Sequence, residues 1–248
     1  MKVSIITATY NSAATVNNTL SCIQFQDHPD IEHIIVDGLS SDDTLKIVNR
    51  FPHIAKIISE KDEGIYDAMN KGIRCASGEI IGILNSDDVY TDEHVLSTIA
   101  SVFENKEIDA CYADLQYVRQ NDSSKIVRTW KSGYFSGDSF YWGWMPPHPT
   151  FFVRRSVYEK VGLFNTMLKS AADYEMMLRI LVKYKITVHY IPKVIVKMST
   201  GGMSNVSVRN RIKANQEDRL AWKLNGLRPY FFTLYLKPLR KVSQFLIK

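Results

Sequence analysis

The sequence predicts an α/β domain, with a mostly parallel central sheet flanked by helices and a helical tail at the C-terminus. Two features carry this. Strand-length, β-branched runs alternate with helix-length segments as far as residue 105, a pattern that calls for parallel strands covered on both faces. Three of the first four strand ends also carry carboxylates, placing them on the edge where open parallel sheets bind ligands.

The elements follow in order. Lys2–Ala8 reads as a buried strand and Ala13–Gln26 as a helix, with Ser12 as its predicted N-cap. Glu32–Asp37 is the second strand, Gly38–Ser41 a loop, and Asp42–Phe51 a helix capped by Ser41. Ala55–Ser59 is a strand, Ile65–Ala76 a helix, Ile80–Leu84 an apolar strand, Asn85–Tyr90 a loop, and Asp92–Asn105 a helix. After Asn105 the alternation stops. Ala110–Arg119 and Lys125–Trp130 read as strands, and Ser132–Pro149 is rich in Gly, Pro and aromatic residues without a period. Helices at Arg155–Val161 and Asp173–Val182, strands at Thr187–Ile191 and Ile195–Met198, and a Ser199–Ser204 loop complete a unit spanning 1–208. Within it, the change of pattern after Asn105 separates 1–105 from 106–208. Residues 209–248 read as two helices.

The chain has 248 residues and a net charge of +5. Residues 1–208 hold 21 basic and 24 acidic side chains, whereas 209–248 hold 10 basic and 2 acidic. The basicity belongs to the tail, which excludes a nucleic-acid-binding face on the main unit. Cys22, Cys75 and Cys111 are odd in number and widely spaced, so neither a disulfide framework nor a thiolate metal site is expected. The N-terminal apolar run is too short for a signal peptide, and no stretch reaches the roughly 18 uncharged residues of a membrane span. A cytoplasmic location is expected.

Asp87-Asp88 is the sharpest feature. Two adjacent carboxylates after the apolar strand repel each other unless a cation joins them, and Mg²⁺ or Mn²⁺ suits such oxygen ligands together with substrate phosphates. Capping of the next helix is the plain alternative. Asp37 can equally be a turn residue. Asp67, Asn70 and Lys71 share a helix face at i, i+3 and i+4, which a solvated surface would also explain. No Gly-x-Gly-x-x-Gly, Gly-Lys-Ser/Thr, His-Glu-x-x-His or Gly-x-Ser-x-Gly occurs, which argues against dinucleotide oxidoreductases, P-loop enzymes, zinc proteases and serine hydrolases.

Five segments in order bear a resemblance to the family 2 inverting glycosyltransferases of the GT-A fold, over about residues 1–200. They are Ser4–Asn11, Ile35–Thr44, Asp62–Gly72, Leu84–Asp88 and Ala172–Glu175. The resemblance implies that Thr7, Ala8, Thr9, Tyr10 and Asp37 hold the uracil and ribose of a UDP-sugar. It places Asp62 against the base and adds Asn70 and Lys71 to the nucleotide set. It makes Asp88 the direct ligand of a divalent metal on the diphosphate, with Asp87 beside it and closer to the ribose. Asn85 stands where the family's Asp-x-Asp has its first acid. Asp173 is implied as the general base that takes the acceptor proton in a single in-line displacement, and Ala172 replaces the family's usual neighbouring acid. Trp142, Trp144 and His148 are expected beside the acceptor, two to stack on sugar faces and one to donate a hydrogen bond.

The implied activity is transfer of a hexose from a UDP-sugar, with a β-linkage, to an undecaprenyl-diphosphate-linked saccharide in surface polysaccharide synthesis such as O-antigen, lipopolysaccharide or capsule. Residues 228–248 contain Arg228, Lys237, Arg240, Lys241 and Lys248 and no acid, interleaved with aromatic and aliphatic residues. This basic amphipathic pattern predicts attachment to an anionic membrane surface, to which five cations contribute at most about 5 kcal/mol. Packing on the domain, or on a second copy in a homodimer, is the competing reading. A nucleotidyltransferase would need a Gly-rich basic first loop, which Thr7–Asn11 lacks. A nucleotide-sugar-binding scaffold without turnover would have no need of Asp173.

Overall fold

The computed structural model describes residues 1–119, 122–200 and 208–244. Residues 201–204 of the predicted Ser199–Ser204 loop, and Phe245–Lys248 of the tail, lie outside the described residues.

The first part of the chain, residues 1–105, follows the sequence pattern. It comprises β1 (Val3–Thr9), α1 (Val16–Gln24), β2 (Ile31–Asp37), α2 (Thr44–Val48), β3 (Ile54–Ser59), α3 (Ile65–Cys75), β4 (Ile80–Ile83), β5 (Asp88–Tyr90) and α4 (Val95–Val102). The second half adds β6 (Ala110–Arg119), β7 (Asp122–Trp130), β8 (Phe152–Arg154), α5 (Arg155–Val161), α6 (Ala172–Leu178), β9 (Val188–Ser199), α7 (Val208–Leu224) and α8 (Thr233–Ser243).

The sheet runs in the order β3-β2-β1-β4-β8-β6-β9-β5, with β7 paired to β6. Strands β3, β2, β1 and β4 are parallel. From β8 onward the sheet is mixed: β8 is antiparallel to both β4 and β6, β7 to β6 and β5 to β9, while β6 and β9 run parallel. Every residue of β1 is buried, as expected of a strand covered on both sides. Ile6 and Ala8 face the core that includes Ala68, Met69 and Ile73 of α3. Val3 and Ile5 face Val95, Leu96 and Ile99 of α4.

Local chemistry moves several boundaries. Helix α1 starts at Val16, not Ala13, because Ser12 offers its carbonyl to the amides of Thr15 and Val16 and makes no side-chain cap. Helix α2 starts at Thr44, since Asp42 rather than Ser41 receives the Thr44 amide. The Asn85–Tyr90 loop contains the three-residue strand β5, and β8 was not foreseen, because such short runs carry too little periodicity to read. The two strands expected at 187–198 are one, β9, with a register shift where Ile191 pairs with Ala113 and Val194 with Asp114. Pro192 lies in that interruption, where a missing amide is tolerated.

The predicted boundary after Val208 does not interrupt the packing. Ala221, Trp222 and Leu234 join the same core as Tyr174 and Phe140. Trp222 Nε1 donates to the Tyr174 hydroxyl at 2.9 Å, and Lys237 pairs with Asp218 at 2.7 Å. Gly143, at φ +74°, lets the backbone of α8 approach: a Cβ there would sit 2.5 Å from the Lys237 amide nitrogen.

Candidate active site

Parallel pairing brings the ends of β1, β2 and β3 into one row, Thr9–Asp37–Ser59. Asp37 is fully buried between its neighbours. Thr9 Oγ1 donates to its Oδ1 at 3.0 Å, and Ser59 Oγ to its Oδ2 at 2.9 Å. The Ser40 amide and hydroxyl also donate to it. Four donors saturate the carboxylate. The loops above are tied to one another: the Asn11 amide donates to Ser40 Oγ, and Asn11 Oδ1 receives the Ser41 amide at 2.8 Å. Ser86 Oγ donates to Ser12 Oγ at 2.9 Å, joining the loop after β4 to this set.

This row supports an open edge. Tyr10 is 67% exposed, and Asp62 reaches over Gly38, where a Cβ would lie 2.4 Å from Asp62 Oδ2 and 3.4 Å from the Tyr10 ring. Thr9, Tyr10, Asp37 and Asp62 are therefore brought together. Other members of the expected nucleotide set face elsewhere. Thr7 is fully buried with Oγ1 3.1 Å from His33 Nε2, and Ala8 is core. Asn70 is buried, its amide group bonding both the carbonyl and the amide of Phe164 at 2.9 Å. Lys71 is held by Glu60 at 2.9 Å, Asp67 at 3.5 Å and the Lys61 carbonyl. The side chain of Asn70 thus clamps α3 to the segment before α6, and Asp67 and Lys71 pair on the helix surface.

The acidic pair differs from Asp37. Asp88 opens β5 and is fully buried, and its Oδ2 receives Asn85 Nδ2 at 3.0 Å. Asp88 Oδ1 and Asn85 Oδ1 have no partner among the described residues. Burial pushes the Asp88 carboxyl well above the usual carboxylate range, and the Asp87 charge adds to this against the Asn85 hydrogen bond. Burial raises Asp87 as well. Two carboxyls short of positive charge, with orphaned oxygens beside them, fit a hard divalent cation. Among the described residues no group of three or more His, Cys, Asp or Glu forms a closed cage, so such an ion would complete its shell from water or substrate.

Asp173 lies on the first turn of α6 and makes no cap hydrogen bond. Tyr66 donates its hydroxyl to Asp173 Oδ1 at 3.1 Å, and the Tyr66 ring stacks on Phe164 with centroids 5.6 Å apart. His148 meets the other side of this cluster, its ring edge-on to Phe164. Burial holds His148 below the usual imidazole range while the Asp173 charge pulls the other way. Trp144 is not with them: it is buried against Tyr112, Phe135 and Phe140 and donates Nε1 to the Ser132 carbonyl at 2.6 Å. Trp142 is half-exposed and packs on Phe232 and Tyr230.

Asp88, Met198, Tyr117 and Arg128 form one row across β5, β9, β6 and β7. Burial raises the Tyr117 phenol, and the charges of both Asp88 and Asp173 add to the rise. The Arg128 guanidinium stacks 3.7 Å over its ring.

A family model described as glycosyl transferase family 2 matches residues 4–162, which contain the whole of the strand-end site. The chain belongs to glycosyl transferase family 2. A glycosyltransferase named for PGL/p-HBAD biosynthesis in Mycobacterium bovis is 30% identical over 215 residues, covering 83% of this chain and 80% of that protein. An uncharacterized glycosyltransferase of Mycobacterium tuberculosis is 31% identical over 180 residues, covering 71% of this chain and 68% of its own. Among solved structures, Staphylococcus aureus TarS residues 1–349 in complex with UDP-GlcNAc superpose with a TM-score of 0.70 at 19% identity, covering 99% of this chain and 72% of that one. The chain spans 43% of the longer TarS structure. A Pyrobaculum calidifontis mannosyltransferase in complex with GDP-Man and Mn²⁺ gives a TM-score of 0.67 at 21% identity, covering 99% and 69%. The protein is thus a glycosyltransferase with a GT-A-like α/β fold.

Tyr66, bonded to Asp173, and Tyr117, in register with Asp88 across β9, are neighbours of the expected site residues that sequence reading missed. Tyr66 sat inside a segment that carries the resemblance, two residues after Gly64 in the first turn of α3, and no local pattern showed that its hydroxyl meets Asp173. Tyr117 carried no signal, since its place depends on the pairing of β6 with β9.

Proposed function

We propose that this glycosyltransferase moves a hexose from a UDP-sugar to a hydroxyl of a lipid-diphosphate-linked saccharide, with inversion to a β-linkage, at the inner face of a membrane. The observation that carries the reading is Asp88: a fully buried carboxyl beside Asp87 with an orphaned oxygen, at the strand end adjoining the Tyr10–Asp62 edge. A UDP-GlcNAc complex of one structural neighbour and a GDP-Man and Mn²⁺ complex of another support a nucleotide-sugar donor.

In this reading Tyr10, with Asp62 over Gly38, receives the base, and Thr9 and Asp37 fix the loop beneath it. Asp88 and Asp87 hold Mg²⁺ or Mn²⁺, which when bound supplies positive charge to the leaving diphosphate. Asp173 takes the acceptor hydroxyl proton as that oxygen attacks the anomeric carbon. Tyr66 keeps the carboxylate of Asp173 aimed by donating to Oδ1. His148, held neutral, offers a ring nitrogen to an acceptor hydroxyl.

The test incubates the full chain with a panel of UDP-sugars and GDP-mannose and a lipid-diphosphate saccharide, with and without Mn²⁺ or Mg²⁺. The expected result is ion-dependent transfer from a UDP-sugar, lost in Asp173→Asn. Transfer from GDP-mannose alone would overturn the donor assignment. Nucleotide binding without turnover in any pairing would favour the scaffold reading.

A further inference from the structure

Helix α8 buries Leu234 in the core but exchanges part of its polarity along the rest of its length. A helix lying between a protein and water turns its apolar side inward and its charges outward. Here Lys237 points inward, 2.7 Å from Asp218 and with its ammonium 3.6 Å over the Tyr174 ring. Tyr235 and Leu239, one turn apart, point outward at 62% and 61% exposure. The chain just before the helix continues this outward side with Phe231 at 88% and Tyr230 at 51%, and Trp142 stands against Phe232 and Tyr230. Arg228 and Arg240 are exposed at its ends, and no Asp or Glu occurs between 228 and 248.

We infer that this aromatic ridge, Trp142, Tyr230, Phe231, Tyr235 and Leu239, is a docking surface for an anionic bilayer interface. A contiguous exposed apolar patch of this kind marks a partner. Aromatic side chains flanked by arginines match the headgroup region of an anionic membrane, where ring bodies enter the acyl boundary and guanidinium groups meet phosphate; at the Trp142 end, Nε1 is tied to Asp138 at 3.2 Å and the carbonyl receives Arg240 Nη1 at 3.4 Å. The tail therefore holds the membrane mainly through rings. Lys237, counted as a lipid contact from sequence, is engaged inside the protein. Among the described residues no helix is long and apolar enough to cross a bilayer, so the ridge lies on the surface. Its inner side rests on Tyr174, next to Asp173, so docking would set the acceptor site at a fixed distance from the lipid. The inference rests on the membrane placement proposed above and not on the transfer chemistry, so the two fail separately.

The test is co-sedimentation of the full chain with vesicles of phosphatidylcholine alone and of phosphatidylcholine with phosphatidylglycerol. The parent is expected to bind the anionic vesicles. The triple variant Phe231→Ser, Tyr235→Ser, Leu239→Ser is expected to lose at least tenfold in partitioning while its circular dichroism and thermal midpoint stay as in the parent. Should the triple variant misfold, Phe231→Ser alone, on the most exposed ring, is expected to lose about threefold. Undiminished vesicle binding by a folded variant would overturn the inference. So would a parent that binds neither vesicle, including one whose self-association the triple variant abolishes, since a second copy would then cover the ridge.

Discussion

Asp37 and Asp88 end up as the same residue type at the same edge of the same sheet, both with no exposed surface, yet their surroundings are opposite. Asp37 accepts four hydrogen bonds, from Thr9, Ser59 and both donors of Ser40. Asp88 accepts one side-chain donor, Asn85, with a weaker contribution from the Ser199 backbone, and keeps an orphaned oxygen. A buried carboxylate with four donors is a finished part of the scaffold, and it fixes the loop that carries Tyr10 and Gly38. A buried carboxylate left short of donors beside another acid is stable only with something added. Burial alone does not identify a working acid; the count of its donors does.

The largest expected effect exchanges the two. Asp88→Asn should lower kcat about 10³-fold with saturating Mn²⁺, because a charge that holds the ion is lost. Without metal its thermal midpoint should equal or exceed that of the parent, since a costly buried acid has gone. Asp37→Asn should do the reverse to stability. Its amide would face hydroxyl and amide donors, leaving about one or two of them unsatisfied and costing about 3 kcal/mol, or roughly 6–12 °C for a chain of this size. Thermal melts in chelator separate the two cases. A midpoint for metal-free Asp88→Asn that falls as far as that of Asp37→Asn would break the contrast.

How much of this contrast was legible beforehand follows from the range of the interactions. The strand-end acids, the parallel order of β1 to β4 and the tail helices came from local patterns and ordered segments. The saturation of Asp37 needed the register Thr9–Asp37–Ser59, which no single segment encodes. The inward turn of Asn70 depended on Phe164, 94 residues away, and the burial of Trp144 on Tyr112 and Phe135. Strand β5 was too short to be read. Lys237 misled because a cation in an amphipathic tail looks solvent-facing until Asp218 is placed beside it.

Asp173 stands between the two extremes, with one side-chain donor, Tyr66, and no cap bond. Tyr66→Phe should therefore cost about tenfold in kcat, in line with the loss of a group that orients a reacting one. The KM for the nucleotide-sugar should stay within about twofold. A rise in KM with kcat unchanged would make Tyr66 a packing residue rather than the group that positions Asp173.

The smallest effect probes the saturated side from below. His33 is fully buried, between Thr7 Oγ1 at 3.1 Å and His53 Nε2 at 3.0 Å, and stacks on the His53 ring. Burial, reinforced by His53, depresses His33 from 6.5 to about 3. In the unfolded chain the same imidazole takes its proton near 6.5, so between pH 6.5 and 3 the unfolded state binds more protons than the folded one. The stability that a neutral His33 allows is complete above pH 6.5 and declines as pH falls through that window, by up to about 1.4 kcal/mol per pH unit. Carboxylates elsewhere add their own acid dependence, so the readout is a difference: His33→Gln should lose less of its midpoint between pH 7 and 5 than the parent, by roughly 4–8 °C. Equal losses would mean that the polar layer under β1 and β2 tolerates a charge, and the saturated half of the site would then be less rigid than its four hydrogen bonds to Asp37 imply.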